Sequence, residues 1–256
     1  MTEARLDSKA KHLGVGVSPN GMQQRRVVYD IGMHNGDDTD YYLKKGFRVV
    51  AVEANPLLCE AAKKRFAAYI ECGRLQIHNV AIAGEAGSIK FYVNDRNSVL
   101  SSLFRPSDMT DWREVECRAS TLTSIIEAPD QIEFVKLDIE GADLLALEDL
   151  YRHRVLPLNI SCEAHQVEVV CKLVSMGYQK FKLVRCSVIG KKDKSSDITT
   201  TDGVVLPHKF PRHSSGPFGN DLPGRWMAAD QVLYAWFGRG VLYGGGWYDV
   251  HAMRVP

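Results

Sequence analysis

The segment Val27–Thr39, with the sequence VVYDIGMHNGDDT, decides the fold. Its first three residues favour a β-strand, and Gly32 and Gly36 allow a sharp turn and a close approach to a ligand that a side chain would block. The two aspartates and the threonine that follow suit the first turn of a helix, which we expect to end at Gly46. The segment therefore predicts a strand, a glycine turn and a helix.

A second strand, expected over Phe47–Val52, is followed directly by Glu53. In nucleotide-binding βαβ units an acidic residue about 20 positions after the glycine turn binds a ribose. Glu53 follows Asp30 at close to this spacing. The turn and the carboxylate together predict a site for a nucleoside-containing cofactor.

The chemistry of the turn distinguishes between cofactors. A dinucleotide site needs the pattern G-x-G-x-x-G, so that the backbone can approach a pyrophosphate, but His34 stands where the middle glycine would be. Asp37 and Asp38 add negative charge, which disfavours phosphate. A cationic cofactor such as S-adenosylmethionine would instead be attracted by Asp30 and these two aspartates. The alternative is an ordinary strand–turn–helix unit with solvated acidic residues.

Length and composition favour one large domain. The 256 residues are 45% hydrophobic and can bury a full core. We expect a flexible leader over residues 1–24 and a single domain over 25–256, with insertions at 97–117 and 190–225. The segment 97–117 is expected to be a loop over the site.

Charge and cysteine usage exclude several classes of partner. Lys plus Arg number 32 against 31 Asp plus Glu, so no nucleic-acid partner is expected. The six cysteines form no CxxC pair, which favours reduced thiols and a cytoplasmic location. No apolar run is long enough to predict a membrane span.

The remaining pattern alternates strands and helices, as in a Rossmann-like, doubly wound α/β fold with a mostly parallel sheet. A short helix is expected over Thr121–Glu127, and an edge strand over Trp247–Val255. Residues 216–226 are rich in glycine, proline and aromatic residues. They suit a lid or one side of an acceptor site, and the alternative is a loop packed over the core.

A second group of polar residues follows the apolar strand expected over Ile132–Ile139. Alternation along that strand places Lys136, Asp138 and Glu140 on one side, provided that the extended conformation persists. Burial and mutual repulsion would make Asp138 or Glu140 a candidate acceptor of an alcohol proton. The alternative is a structural ion network with Lys136, combined with helix capping.

The next strand ends in Glu163 and His165, which parallel topology brings to the same edge of the sheet. His165 is a second candidate base, and the alternative is an exposed histidine at a helix N-terminus. Asp138, Glu140, Glu163 and His165 are also an oxygen-rich set that could hold a divalent metal. Their positions match no metal-ligand spacing, so we predict no metal site.

Three linked motifs carry a family resemblance. They are DIGMHNGDDT at 30–39, VEANP at 52–56 and KLDIEG at 136–141. In order and spacing over residues 27–186, the chain resembles the FkbM family of class I methyltransferases. The resemblance implies S-adenosyl-L-methionine as methyl donor and a sheet of about seven strands with a reversed last strand. It also implies O-methylation of a hydroxyl on a sugar, glycolipid or natural product, and hence a small-molecule or glycan acceptor.

The resemblance also implies roles for individual residues. Asp138 would stand near the reacting methyl group, with Glu140 and His165 as further catalytic candidates. Class I enzymes often carry an acidic residue after the third strand, but Ala81 and Ile82 occupy that region here, so backbone contacts would serve the adenine. The residues expected to bind the cofactor are Asp30, Gly32, Met33, His34, Asn35, Gly36, Thr39, Glu53, Ala54, Asn55, Ala81, Ile82 and Asp138.

The sequence therefore predicts an S-adenosylmethionine-dependent O-methyltransferase. One alternative is a nicotinamide-dependent oxidoreductase, which the histidine and the acidic residues of the turn argue against. The other is a non-catalytic module that binds S-adenosylmethionine without turnover.

Overall fold

The computed structural model describes residues 26–186, 196–211, 214–238 and 246–255. The leader expected over 1–24 lies outside the described residues, as do residues 190–195 and 212–213 of the expected 190–225 insertion. The described strands, in chain order, are β1 (Val27–Ile31), β2 (Arg48–Glu53), β3 (Leu75–Asn79), β4 (Ala81–Ile82), β5 (Gly87–Asn94), β6 (Trp112–Ser120), β7 (Ile132–Leu137), β8 (Asn159–Glu163), β9 (Lys180–Arg185), β10 (Ser196–Thr199), β11 (Val205–His208) and β12 (Tyr248–Met253).

The helices connect these strands on both sides of the main sheet. The first ends at Gly46, which adopts a left-handed φ of 104° and donates its N–H to the carbonyl oxygen of Leu43. The described α-helices are α1 (Asp37–Lys45), α2 (Pro56–Arg65), α3 (Ala67–Glu71), α4 (Asp143–Arg152), α5 (Val167–Ser175) and α6 (Ala229–Gly238).

The main sheet has seven strands in the order β3-β2-β1-β7-β8-β12-β9. Its strands are parallel except β12, which pairs antiparallel with both β8 and β9. This confirms the α/β class, the mostly parallel sheet and the reversed last strand. The expectation of an edge strand at 247–255 is wrong, because β12 lies inside the sheet. Five of its six residues are buried, as a strand with neighbours on both sides requires.

Smaller sheets correct two further expectations. In the segment 97–117, a short 3-10 turn at Ser98–Leu100 is followed by β6, which pairs along its length with β5 in a three-stranded sheet. The loop interpretation is therefore wrong from Trp112 onward. The composition of the segment 190–225 predicts an insertion rather than sheet, but β10 and β11 form an antiparallel hairpin there.

The helix expected over Thr121–Glu127 does not form, and these residues make turns instead. The carboxylate of Asp149 accepts a hydrogen bond from the backbone N–H of Thr123 at 2.7 Å, while Leu122 and Ile125 are buried. A turn at this position places two apolar side chains in the core and gives a backbone N–H a hydrogen-bond partner.

Both faces of the main sheet are covered by apolar packing. Tyr29 and Ile31 of β1 join the cluster that includes residues of α4, α5 and α6. Val28 points to the opposite face, where the ring of Phe134 stacks on Phe218 at 4.2 Å between centroids. The carboxyl ends of the parallel strands therefore emerge together at one edge, and this edge holds the site.

Candidate active site

The glycine turn is tied to two neighbouring strands. The N–H groups of Gly32 and Met33 both donate to the carbonyl oxygen of Val52, at 3.0 and 2.9 Å. Gly32 has a φ of 84°, and a Cβ at this position would be 1.8 Å from the carbonyl oxygen of Asp138. Only glycine permits this approach. The turn is therefore fixed between the ends of β2 and β7.

Glu53 is buried at the end of β2 and holds the turn from the other side. Its Oε2 accepts the backbone N–H of His34 at 2.8 Å, and its Oε1 accepts that of Asn55 at 2.7 Å. Burial raises the pKa of Glu53, and these two N–H groups oppose the rise. The sequence predicts that this carboxylate binds a ribose. In the structure it lies beside the glycine turn, and both of its oxygens accept hydrogen bonds from backbone N–H groups.

His34 connects the turn to the loop that follows β5. It has a left-handed φ of 52°, unusual for a residue with a side chain. Its Nε2 lies 2.8 Å from the hydroxyl oxygen of Ser98. The histidine that replaces a glycine of the dinucleotide pattern thus anchors residues that cover the site.

A buried lysine lies beneath the turn among three carboxylates. Nζ of Lys136 lies 3.1 Å from Oδ2 of Asp138, 3.5 Å from Oδ1 of Asp30 and 3.7 Å from Oδ2 of Asp38. It also donates to the carbonyl oxygen of Gly32 at 3.1 Å. Burial lowers the pKa of Lys136, but the carboxylates more than offset this effect and hold it well above its usual value. The lysine therefore remains charged.

Two of these carboxylates have further partners. The hydroxyl of Thr39 donates to Oδ2 of Asp30 at 2.6 Å. Asp38 accepts the hydroxyl of Ser214 and the backbone N–H of Ser215. Burial raises the pKa of Asp38 to about 6, against the opposing effect of Lys136.

The expected alternation of Lys136, Asp138 and Glu140 along one strand is only partly correct. Lys136 and Asp138 are in contact, but β7 ends at Leu137. Glu140 has a φ of 48°, so the chain turns there rather than staying extended. The hydroxyl of Ser102 donates to the carbonyl oxygen of Glu140 at 2.9 Å and holds this turn.

Carboxylates from three segments meet at this edge of the sheet. Asp138, Glu140 and Glu163 each offer one oxygen, and these oxygens lie within 4.8 Å of one another. Burial raises the pKa of Glu140 to about 8, and repulsion by Glu163 and Asp138 adds to the effect. The pKa of Glu163 is also raised by burial. The sequence predicts that these residues lie at one edge of the sheet, and in the structure their carboxylates form one cluster.

His165 lies next to this cluster and is half-exposed. Its Nε2 is 3.2 Å from Oε1 of Glu163. This hydrogen bond raises the pKa of His165 to about 9, against the opposing effect of desolvation. The ring is therefore protonated at neutral pH, and it would accept a proton only after losing its own.

One cavity of about 330 Å³ joins the glycine turn to the acidic cluster. Eleven residues of the predicted site line it, together with residues that the sequence did not single out, among them Phe91, Leu103 and Trp247. The predicted residues on its lining are Gly32, Met33, His34, Asn35, Glu53, Ala54, Ala81, Ile82, Asp138, Glu140 and His165.

Four other predicted residues, Asp30, Gly36, Thr39 and Asn55, are not among the residues that line the cavity. Two of them contact residues that do line it, since Asp30 lies near Lys136 and Asn55 donates its N–H to Glu53. A Cβ at Gly36 would be 2.6 Å from the ring of Phe66, and the side chain of Asn55 caps α2 by accepting the N–H of Leu57.

Residues 216–226, all of which are described, do not line the cavity. Phe218 is buried against Phe134, and the 3-10 turn at Gly219–Asp221 packs beside it. The lid interpretation is therefore wrong, and this segment is a loop packed over the core.

Among the described residues, no helix has the length and apolar character that a membrane crossing requires.

The strand order, the reversed strand and the position of the cavity define a class I methyltransferase fold. The family model of the methyltransferase FkbM domain matches residues 30–174, which is more than half of the chain. The protein therefore belongs to the FkbM methyltransferase family.

Solved structures that match this chain include the methyltransferase FkbM from Methylobacillus flagellatus, which is 17% identical with a TM-score of 0.44. That match covers 65% of this chain and 42% of the other, so it spans less than half of that protein's length. A SAM-dependent O-methyltransferase from Thermotoga maritima is 9% identical with a TM-score of 0.40, and the match covers 100% of this chain and 66% of the other. No curated protein matches the sequence.

Proposed function

We propose that the protein is an S-adenosylmethionine-dependent O-methyltransferase whose acceptor is a hydroxyl of a sugar, glycolipid or natural product. The observation that carries the proposal is one cavity whose lining combines two groups of residues. These are the glycine turn with Glu53, and the acidic cluster of Asp138, Glu140 and Glu163. This arrangement offers a cofactor site and an acceptor site in contact.

The residues of the first group suit the cofactor. The buried carboxylate of Glu53 is oriented by two backbone N–H groups and can accept hydrogen bonds from ribose hydroxyls. Ala81, Ile82 and Phe91 give the lining an apolar part that suits an adenine ring. Asp37 and Asp38 also line the cavity, and their acidity favours the sulfonium and ammonium groups of S-adenosylmethionine over a phosphate.

The residues of the second group suit a hydroxyl. When bound, the cofactor supplies a methyl group already activated for transfer, so the protein has to align the acceptor oxygen and exclude water. A carboxylate of Asp138 or Glu140 would accept a hydrogen bond from the hydroxyl and then its proton. Lys136 fixes Asp138 through the contact at 3.1 Å.

Calorimetry with S-adenosylmethionine tests the cofactor assignment. We expect binding to the wild type and about 10- to 100-fold weaker binding to Glu53→Gln, because hydrogen bonds to an ionised group contribute about 1.5–3 kcal/mol. Glu60→Gln is the matched control, since Glu60 is an exposed residue of α2 that pairs with Lys63. Binding of NADH in preference to S-adenosylmethionine would support the oxidoreductase alternative instead.

Transfer of a tritiated methyl group from S-adenosylmethionine to a panel of sugars, glycolipids and hydroxylated natural products tests the reaction. We expect Asp138→Asn to lower kcat while the protein remains folded. Unchanged cofactor affinity and turnover in this variant would contradict the role of Asp138. Cofactor binding without transfer to any acceptor would favour the non-catalytic module.

A further inference from the structure

We propose that Asp138, Glu140 and Glu163 bind one divalent cation with a preference for oxygen ligands, in the cavity. The sequence alone predicts no metal, because the positions of these residues match no ligand spacing. The cation's role in catalysis rests on the proposed O-methyltransferase function, whereas its binding does not.

The distances within the cluster suit a single ion. Each of the three residues offers one oxygen, and these oxygens lie within 4.8 Å of one another. Ca²⁺ binds oxygen ligands at about 2.3–2.6 Å, so two ligands on opposite sides of the ion are about 4.6–5.2 Å apart. Mg²⁺ and Mn²⁺ use shorter bonds and would draw the three oxygens slightly closer. A point between the three oxygens lies at most about 2.8 Å from each of them, so small side-chain shifts bring all three into coordination distance of one cation.

One of the three carboxylates has a buried oxygen without a hydrogen-bond partner in the described part of the chain. Glu163 is only 6% exposed and lines the cavity. His165 donates to its Oε1, but its Oε2 is buried and has no hydrogen-bond partner within the described part of the chain. A buried carboxylate oxygen without a partner is costly. A cation bound to Oε2 would remove this cost, and His165 would orient the carboxylate from behind.

A second buried oxygen without a partner lies on the neighbouring strand. Asp249 of β12 pairs directly with Glu163 of β8, so both side chains project from the same face of the sheet. Asp249 is 3% exposed, and its Oδ1 has no hydrogen-bond partner among the described residues. This unpartnered oxygen lies beside the proposed site.

Two cationic side chains on the cavity lining are already paired with carboxylates. Lys136 is shared among Asp30, Asp38 and Asp138. Nε2 of His165 contacts Oε1 of Glu163. A divalent cation would add twice the positive charge of a sulfonium and would favour the ionised form of all three ligand carboxyl groups.

The bound cation would act on the acceptor. It would coordinate the acceptor's hydroxyl oxygen, fix its direction toward the cofactor and weaken its O–H bond. The proton would pass to the oxygen of Glu140 that does not bind the cation, and from there to solvent. Each ligand carboxylate has a second oxygen, so binding the cation does not remove this acceptor.

Terbium luminescence offers a direct test, because Tb³⁺ replaces Ca²⁺ at oxygen sites and is excited by a nearby indole. Trp247 lines the same cavity as the three ligands. We expect saturable luminescence at one ion per chain, and we expect Mn²⁺, Ca²⁺ or Mg²⁺ to displace it. Glu140→Gln and Glu163→Gln should weaken binding at least about 10-fold, whereas Glu60→Gln should leave it unchanged. Circular dichroism verifies that each variant is folded.

The wild type alone can overturn the proposal. Absence of saturable Tb³⁺ luminescence together with absence of heat on titration with Mn²⁺ would exclude the site. Binding that persists equally in both glutamine variants would place the ion elsewhere and would also exclude it. Methyl transfer unaffected by EDTA would support the proposed function while removing the cation from the reaction. Ion binding without any methyl transfer would retain the site and count against the function.

Discussion

The carbonyl oxygen of Asp138 occupies the space that a side chain at Gly32 would need. A Cβ on Gly32 would be only 1.8 Å from this oxygen. The backbone of the cofactor turn and the backbone beside the proposed catalytic carboxylate are therefore in direct contact. Any change that separates them alters both groups of residues that line the cavity.

Gly32→Ala is therefore expected to destabilise the protein and to weaken cofactor binding. The methyl group would force the end of β7 away from the turn, and the φ of 84° adds strain. Gly73→Ala is the matched control, since Gly73 has a φ of 71° but no atom within 4 Å of the added methyl. It should lose only about 1–2 kcal/mol of unfolding free energy in urea. Equal losses in the two variants would show that the contact with Asp138 is unimportant.

Lys136→Met is expected to lower the free energy of unfolding by about 3–5 kcal/mol, because it leaves buried carboxylates without a positive partner. Asp30 is fully buried, its Oδ1 has no hydrogen-bond partner among the described residues, and Nζ of Lys136 lies 3.5 Å from it. Lys45→Met provides the comparison, since its partner Asp221 is half-exposed and can be hydrated. Urea unfolding measures both. A loss no greater than that of Lys45→Met would contradict the structural role of Lys136.

Ser214→Ala tests the contact between α1 and the segment that follows the β10–β11 hairpin. The hydroxyl of Ser214 donates to the buried carboxylate of Asp38, so its removal should cost about 1–3 kcal/mol. Ser215→Ala should cost less, because Ser215 bonds the same carboxylate through its backbone N–H. Thermal unfolding of the two variants gives the comparison. The reverse order would show that the hydroxyl is dispensable.

The buried imidazole of His251 should make the free energy of unfolding decrease at acid pH. Burial and nearby Lys182 lower the pKa of His251 to about 3, so between about pH 6.5 and 3 the unfolded chain binds a proton that the folded chain does not. Stability therefore falls as the pH decreases through this range, by about 1.4 kcal/mol per pH unit. His251→Leu removes this contribution. Its unfolding free energy relative to the wild type should rise by about 2 kcal/mol between pH 7 and pH 5.

Urea titrations at the two pH values measure this difference. Because both proteins share the acidic residues whose pKa values are raised, their contributions cancel in the comparison. A difference that does not change with pH would mean that His251 is protonated in the folded protein.

The turn, Glu53 and the acidic strand ends could be predicted because each depends on neighbours in sequence. A glycine at a left-handed position and a carboxylate at a strand end are local requirements. Trp247 and Phe91 could not be predicted from their surroundings, since strand pairing between distant segments brings them to the cavity. The reversed last strand implied by the resemblance was the one signal that could have placed Trp247 near the site.

The errors have a physical origin of the same kind. The polar sequence of β6 resembles a loop, but its alternating residues pair with β5 over their full length. Thr121 has the character of a helix cap, yet the contact between Thr123 and Asp149 fixes a turn. In both cases a partner far away in the chain decided the local conformation.

The position of β12 has a consequence for folding during synthesis. β8 and β9 do not pair with each other, because β12 lies between them and is made only after the hairpin and α6. A ribosome-bound chain that has produced the glycine turn and the acidic cluster still lacks Trp247 and Asp249. The cavity therefore matures late, and the nascent chain is expected to gain its affinity for ligands in a final, slow step of long-range pairing.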